Sequence, residues 1–250
     1  MEGALIVPRI TTRGYYDRRT AERLKQREYG VYPANLLGDL VKLDEFVVVV
    51  HGMRNDSRGA ASKVLIVADT LENLNYAGKV IGFSYDSDVI GGHQRSNLGA
   101  LQVAREIAIM NGLHLARFVQ DINMANPNTR IRIMGHSLGS EVVVHAIRHL
   151  SRFKNRNSVE AVYLFAASIG REYLNQSQVL ESLQYTIRTT LTNYYFTNDE
   201  ELQIGHSNGH NPYPAGLYGI GCKHDVIRDV RVHPLNHRFS SYAAVMPSFP

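Results

Sequence analysis

The chain has 250 residues, 44% of them hydrophobic and 20% charged, a composition that supports a full-sized core and excludes disordered, collagenous and coiled-coil classes. Its length suits one α/β unit, so a single domain over residues 1–250 is expected, with residues 1–43 packed on it as an N-terminal extension. The formal net charge is +4 at pH 7, and Arg9, Arg13, Arg18, Arg19, Arg23, Lys25 and Arg27 crowd near the start.

Asp17, Glu22 and Glu28 dilute that basic run, and no aromatic-interleaved binding motif accompanies it. It reads as a solvated amphipathic face, and no nucleic-acid partner is expected. A single cysteine, Cys222, cannot form an internal disulfide, which fits a reducing compartment and a cytoplasmic location. The apolar run Ala4 to Pro8 is too short for a signal core, and nothing approaches the ~20 apolar residues of a membrane span, so no stable membrane insertion is expected.

Along the chain, residues 1–45 offer little regular strand, so leading antiparallel strands should be short or absent. Phe46 to Val50 is β-branched, continuous and short, as in a parallel strand covered on both faces. Similar runs recur at Lys79 to Phe83, Arg130 to Met134, Ala161 to Phe165, Asn193 to Phe196 and Asp229 to Val232. Between them, Ser62 to Asn75 and Leu98 to Ile122 carry apolar residues at helical spacing, and Leu138, Val142, Val143, Ala146, Ile147 and Leu150 form another stripe. A last helix should begin near Phe239. This alternation predicts an α/β fold with about six mostly parallel strands and helices on both faces. Ile204 to Cys222, with five glycines and two prolines, predicts turns that line a site.

The informative segment is Gly135-His-Ser-Leu-Gly139. Gly-x-Ser-x-Gly between an apolar strand and an amphipathic helix is the pattern of a nucleophile elbow, where flanking glycines remove side chains that would collide. The following helix turns its positive end toward the serine oxygen. A serine hydroxyl is a weak nucleophile and needs a base, itself oriented by an acid. In this pattern the partners follow in the order acid, then base. Asp199, directly after a predicted strand, is the candidate acid, with Glu200 and Glu201 as alternatives and Asp225 on the wrong edge of the sheet. His237, in the loop after the last strand, is the candidate base, with His233 as its rival. Acyl transfer also needs donors for the oxyanion. The backbone N–H groups of Leu138 and of Met53, in the loop His51-Gly52-Met53, fit that role. His51 should orient that loop by hydrogen bonding, with Gly52 letting the backbone turn under the substrate.

Together these residues resemble the α/β-hydrolase superfamily over roughly residues 44 to 245, and look most like its small lipase- and esterase-like members. The resemblance implies an α/β-hydrolase fold with the site at the C-terminal ends of the strands, and ester hydrolysis through an acyl-enzyme by Ser137, His237 and Asp199. No stretch is long enough for a sizeable cap domain, so the site should be open and tolerate varied or bulky acyl groups. The implied substrate is a small-molecule or polymeric ester, bound near His51, Gly52, His136, Tyr85 and Tyr213, with Tyr218 as a further aromatic. An acyltransferase, thioesterase or amidase could use the same residues, and a non-catalytic binding module on this fold is the rival class; a homo-oligomer is compatible with either. No cofactor is expected. His206 and His210, with Cys222 and His224 nearby, have zinc-ligand chemistry, but the prolines that follow argue against a metal-binding helix there, and no metal is expected. His114, His145 and His149 read as surface residues of helices.

Overall fold

A computed structural model describes residues 7–94, 97–209 and 213–250. Residues 4–6 of the early apolar run, and His210 and Pro212, lie outside these. In chain order the elements are β1 (Arg9–Thr11), β2 (Gly30–Tyr32), α1 (Leu36–Leu40), β3 (Glu45–Val50), α2 (Ser57–Asn73), β4 (Lys79–Ser84), α3 (Leu98–Ala125), β5 (Arg130–His136), α4 (Gly139–Arg152) and β6 (Ala161–Phe165). They continue through α5 (Arg171–Leu174), α6 (Ser177–Thr186), β7 (Leu191–Tyr195), α7 (Glu200–Ser207), α8 (Ala215–Tyr218), β8 (Ile227–Arg231) and α9 (Phe239–Ala243).

The strands form an eight-stranded sheet in the order β2-β1-β4-β3-β5-β6-β7-β8, two more than the sequence pattern predicts. The additional strands are β1 and β2, three residues each, too short to show any periodicity. β1 runs parallel to β4 and β2 antiparallel to β1, so part of the N-terminal extension is an edge of the sheet itself. All other neighbours are parallel. No helix among the described residues is long and apolar enough to cross a membrane.

The alternation of strand side chains sorts the core into two layers. Phe46, Val48 and Val50 of β3 pack with α3, α4 and α6 on one face, while Val47 and Val49 pack with α2 and α9 on the other. Both faces of β3 are therefore dry, which is why its sequence is apolar without a break. Each such side chain contributes about 1.5–3 kcal/mol through burial. β4 lies on one side of β3 and β5 on the other, so the chain reverses its direction of growth between β3 and β5. The loops that leave these neighbouring strands part at their C-terminal ends and open a crevice there. Among the described residues no cap domain covers it.

Helix starts follow their caps. Asp56 accepts from Gly59 N at 2.7 Å, starting α2 five residues before its apolar stripe, and Asn97 accepts from Ala100 N at 3.1 Å at the start of α3. The segment Ile204 to Cys222 is less irregular than its glycines suggest. Asp199 caps α7, whose acidic first turn suits the helix dipole and which runs on to Ser207, and α8 follows at Ala215. Most of the basic N-terminal run is exposed, as a solvated face should be, but two of its members make specific contacts: Arg13 bonds Asp88 at 3.0 Å, Ser84 Oγ at 2.8 Å and Asn55 O at 2.7 Å, and Arg18 bonds Asp88 at 2.8 Å. These guanidiniums tie the edge to the loops after β3 and β4.

His114 is buried at 1% exposure, with Nε2 2.8 Å from Tyr16 Oη, because α3 is covered by α4 and by the N-terminal segment, leaving it little free surface. His145 and His149, on α4, are half-buried, with His145 packed beside Tyr173 and His149 beside Phe153. His51 and His136 are also buried, and burial holds all three imidazoles neutral, at pKa values of about 4 for His114 and about 3 for His51 and His136. Their folded values lie below the unfolded value near ~6.5, so acidification protonates the unfolded chain first and stability falls with pH across that window. Each histidine contributes a slope of up to ~1.4 kcal/mol per pH unit. The unfolding midpoint should therefore drop steeply between about pH 6.5 and pH 4, and His114→Gln should show a shallower drop; a midpoint independent of pH there would contradict neutral burial.

Candidate active site

β5 ends at His136 and α4 begins at Gly139, leaving two residues for the turn. Ser137 takes it with φ of 51°, a left-handed conformation that costs a non-glycine residue about 1–3 kcal/mol. The turn is held from both sides. Ser137 N donates to Phe165 O at 2.9 Å, and Ser137 O accepts from Ser140 Oγ at 2.7 Å, Ser140 N at 3.0 Å and Ser168 N at 3.3 Å. The flanking glycines are steric necessities: a Cβ on Gly139 would lie 2.5 Å from Val50 O, and one on Gly135 2.9 Å from Val143 Cγ2.

Asp199, four residues beyond β7, is 2% exposed and accepts from Leu202 N at 3.2 Å as the α7 cap. His237 follows β8. Its Nδ1 lies 2.9 Å from both carboxylate oxygens of Asp199, and its Nε2 lies 2.9 Å from Ser137 Oγ. Tyr242, on α9, donates its hydroxyl to Asp199 Oδ2 at 2.7 Å. Burial alone would raise the Asp199 pKa, but His237, Tyr242 and the Leu202 amide together hold it below the ordinary carboxylate range. Burial, and then the Asp199 charge, push the Tyr242 hydroxyl up, so it remains a donor. Sequence reasoning missed Tyr242, because it falls three residues after Phe239 in a helix stripe that reads as core.

The alternative residues lie apart from this arrangement. His233 is exposed and packs edge-on against Phe196. Glu200 is exposed, Glu201 pairs with Arg54 at 3.5 Å, and Asp225 is exposed before β8, at the opposite end of the sheet.

His136 lines the cleft and also donates from Nε2 to the carbonyl of His237 at 2.8 Å, with its ring stacked on Phe239. It thus holds the loop carrying His237. His51 and Gly52 are not in the cleft wall. His51 is 2% exposed: Nδ1–H donates to Gly52 O at 2.9 Å and Nε2 accepts from Tyr85 N at 3.3 Å, fixing one neutral tautomer behind the loop. A Cβ on Gly52 would lie 2.9 Å from Ser137 Cβ, so glycine lets this loop pass directly beside the serine. Asn55 Nδ2 donates to Gly52 O at 3.0 Å and Met53 O at 2.9 Å, setting the loop's shape. Met53 and Leu138 both line the cleft, and among the described residues neither backbone N–H has an internal acceptor.

The cleft encloses about 680 Å³. One wall is the first part of α3, another is α7 with the glycines after it, and Ser137, His136 and His237 stand between them. Two of the expected aromatic contacts are absent from it. Tyr85 is fully buried and stacks on His51 with ring centroids 4.6 Å apart, because it belongs to the core under the sheet's crevice. Tyr213 is exposed and packs with His206 and Tyr218 outside the lining. His206 lies in α7 and lines the cleft, and among the described residues no group of three or more His, Cys, Asp or Glu is arranged to hold a metal ion.

No curated protein matches the sequence. Among solved structures, TT1662 from Thermus thermophilus superposes with a TM-score of 0.50 at 12% identity, over 80% of this chain and 84% of that one. XC6422 from Xanthomonas campestris, described as an α/β serine hydrolase without lid, gives 0.44 at 15% identity over 80% and 76%. A Trichoderma reesei cutinase gives 0.37 at 14% identity over 71% and 70%. At 12% identity the likeness to TT1662 is one of fold alone. A family model described as "Alpha/beta hydrolase of unknown function (DUF900)" matches residues 34–211, which span α1 through α7 and include the Ser137 turn and Asp199. The chain belongs to this family of α/β hydrolases.

Proposed function

We propose that the protein is a serine esterase that cleaves carboxylic esters through an acyl-enzyme. The observation that supports this reading above the others is the unbroken line from Asp199 through His237 to Ser137 Oγ, each contact 2.9 Å long. In this reading Ser137 Oγ attacks the acyl carbon while His237 Nε2 takes the hydroxyl proton. Asp199 stabilises the imidazolium so formed. The oxygen of the former carbonyl gains a negative charge and takes hydrogen bonds from the Met53 and Leu138 amides, beside the positive end of α4. Collapse of the tetrahedral species breaks the ester C–O bond, and His237 returns its proton to the departing alcohol. Water, deprotonated by the same ring, then attacks the acyl group and releases the acid and Ser137. The alcohol leaves into an open cleft, consistent with a small-molecule or polymeric substrate.

Ser137→Ala should lower turnover of p-nitrophenyl butyrate by at least ~10³-fold without unfolding the protein. A fluorophosphonate probe should label the peptide carrying Ser137 and no other; turnover retained in this variant, or labelling elsewhere, would falsify the assignment. Asp199→Asn should cost about 10³–10⁴-fold in kcat, because an amide supports the wrong imidazole tautomer. Tyr242→Phe removes one donor from a charged acceptor, a bond of about 1.5–3 kcal/mol. It should lower both kcat, by roughly tenfold, and the unfolding midpoint, with KM little changed; a variant with wild-type kcat would show that the hydroxyl does not orient the carboxylate.

A further inference from the structure

One charged pair on the cleft wall has no part in the proposed reaction. α3 presents Leu98, Leu101, Gln102, Arg105, Glu106 and Ile109 to the cleft, a single stripe at spacings of three and four. Arg105 therefore stands with Leu101 a turn before it and Ile109 a turn after it, and with Gln102 and Glu106 as its polar neighbours in the stripe. Glu106 is occupied by Gln102 Nε2 at 3.0 Å. The guanidinium uses only Nε internally, donating to Glu141 Oε1 at 2.8 Å, and among the described residues Nη1 and Nη2 bond nothing.

Glu141 is the anchor of this pair. It lies in the first turn of α4, four residues after Ser137, or ~6 Å along the helix axis. Its side chain is 1% exposed, whereas that of Arg105 is 42% exposed. Glu141 Oε2 accepts no hydrogen bond among the described residues, and His145 Nε2 is 3.6 Å from it. A carboxylate buried in this way is a poor stabilising device, since its desolvation offsets most of the attraction and a hydrophobic residue would pack there without that cost. It does fix the position of a cation. With Nε held, the guanidinium keeps its end pair of N–H groups for the cleft, and that fork matches the two oxygens of a carboxylate. Leu101 and Ile109 flank that fork along the stripe, with Gln102 and Glu106 beside it, so an acyl chain could lie along the two apolar side chains while its end meets the guanidinium.

We propose that Arg105, pinned by Glu141, binds a carboxylate at the far end of the substrate's acyl chain, so that the preferred substrates are half-esters of dicarboxylic acids. This rests on the serine-esterase reading and narrows it. The test compares mono-p-nitrophenyl adipate and suberate with p-nitrophenyl hexanoate and octanoate, which have the same chain lengths without the charge. The readout is the ratio of kcat/KM for the charged ester to that for its neutral partner, because a general loss of structure lowers both and leaves the ratio unmoved. Wild-type protein should show a ratio of about 10–100, as expected for a charge-assisted hydrogen-bonded pair. Arg105→Met should bring the ratio to about one, and Arg105→Lys, which keeps the charge without the fork, should lie between. A wild-type ratio near one, or one that survives in Arg105→Met, overturns the proposal while labelling of Ser137 by the fluorophosphonate leaves the esterase reading standing. Failure of both labelling and turnover with every ester overturns the two together.

Discussion

The left-handed backbone at Ser137 is the constraint around which the rest of the molecule is arranged. A serine in that conformation is strained, and it persists because β3, β5 and β6 hold the turn in a space that admits no other path. The carbonyl oxygens of Val50 and His51 leave no room for a side chain at Gly139, the backbone of β6 bonds the serine amide, and the loop after β3 passes so close that residue 52 has no room for a side chain either. The sheet order makes this possible. Because the chain changes direction between β3 and β5, the loop with Met53 and the turn with Ser137 lie beside one another instead of being separated by a further strand.

His237 and Asp199 reach this turn from the other half of the sheet, and their placement depends on buried polar contacts. Asp199 is at once the cap of α7 and the partner of His237, so the backbone that starts a helix also orients the carboxylate. Tyr242 supplies a further donor from α9, and His136 grips the carbonyl of His237 from the nucleophile's own strand. The ring that would move protons is thereby fixed through both its side chain and its backbone, a degree of preorganisation that acid-base chemistry rewards.

Much of this was legible in the sequence because it rests on local pattern. The strand Phe46 to Val50 shows its burial in every residue, and the glycines at 135 and 139 mark the sharp turn between strand and helix. Asp199 and His237 fall in the loops that follow β7 and β8, where the strand-and-helix alternation and the order of the pattern direct a reader to look for an acid and then a base. What escaped were features settled by long-range packing. β1 and β2 are too short to carry a period, and their pairing is decided by the edge that β4 leaves open. His114 reads as a surface residue until α4 and the N-terminal segment cover α3. Tyr85 was expected in the cleft and lies behind it, since its ring stacks on His51 and not on anything the substrate could touch. Tyr242 gave no sign of its role, because a tyrosine in an apolar helix stripe looks the same whether or not its hydroxyl meets a buried acid.

His237 comes from the loop beyond β8, the outermost strand of its side, much of whose surface faces water. Edge elements with few buried contacts open at lower free energy than the centre of a sheet. Ser137 lies among the central strands and His237 at the rim, so a local fraying of β8 strong enough to break the contacts of His237 would part the two while the core stays folded. On warming, competence for chemistry would then disappear before the globular structure does, and anything that braces the rim against β7 would widen the temperature range over which the molecule works.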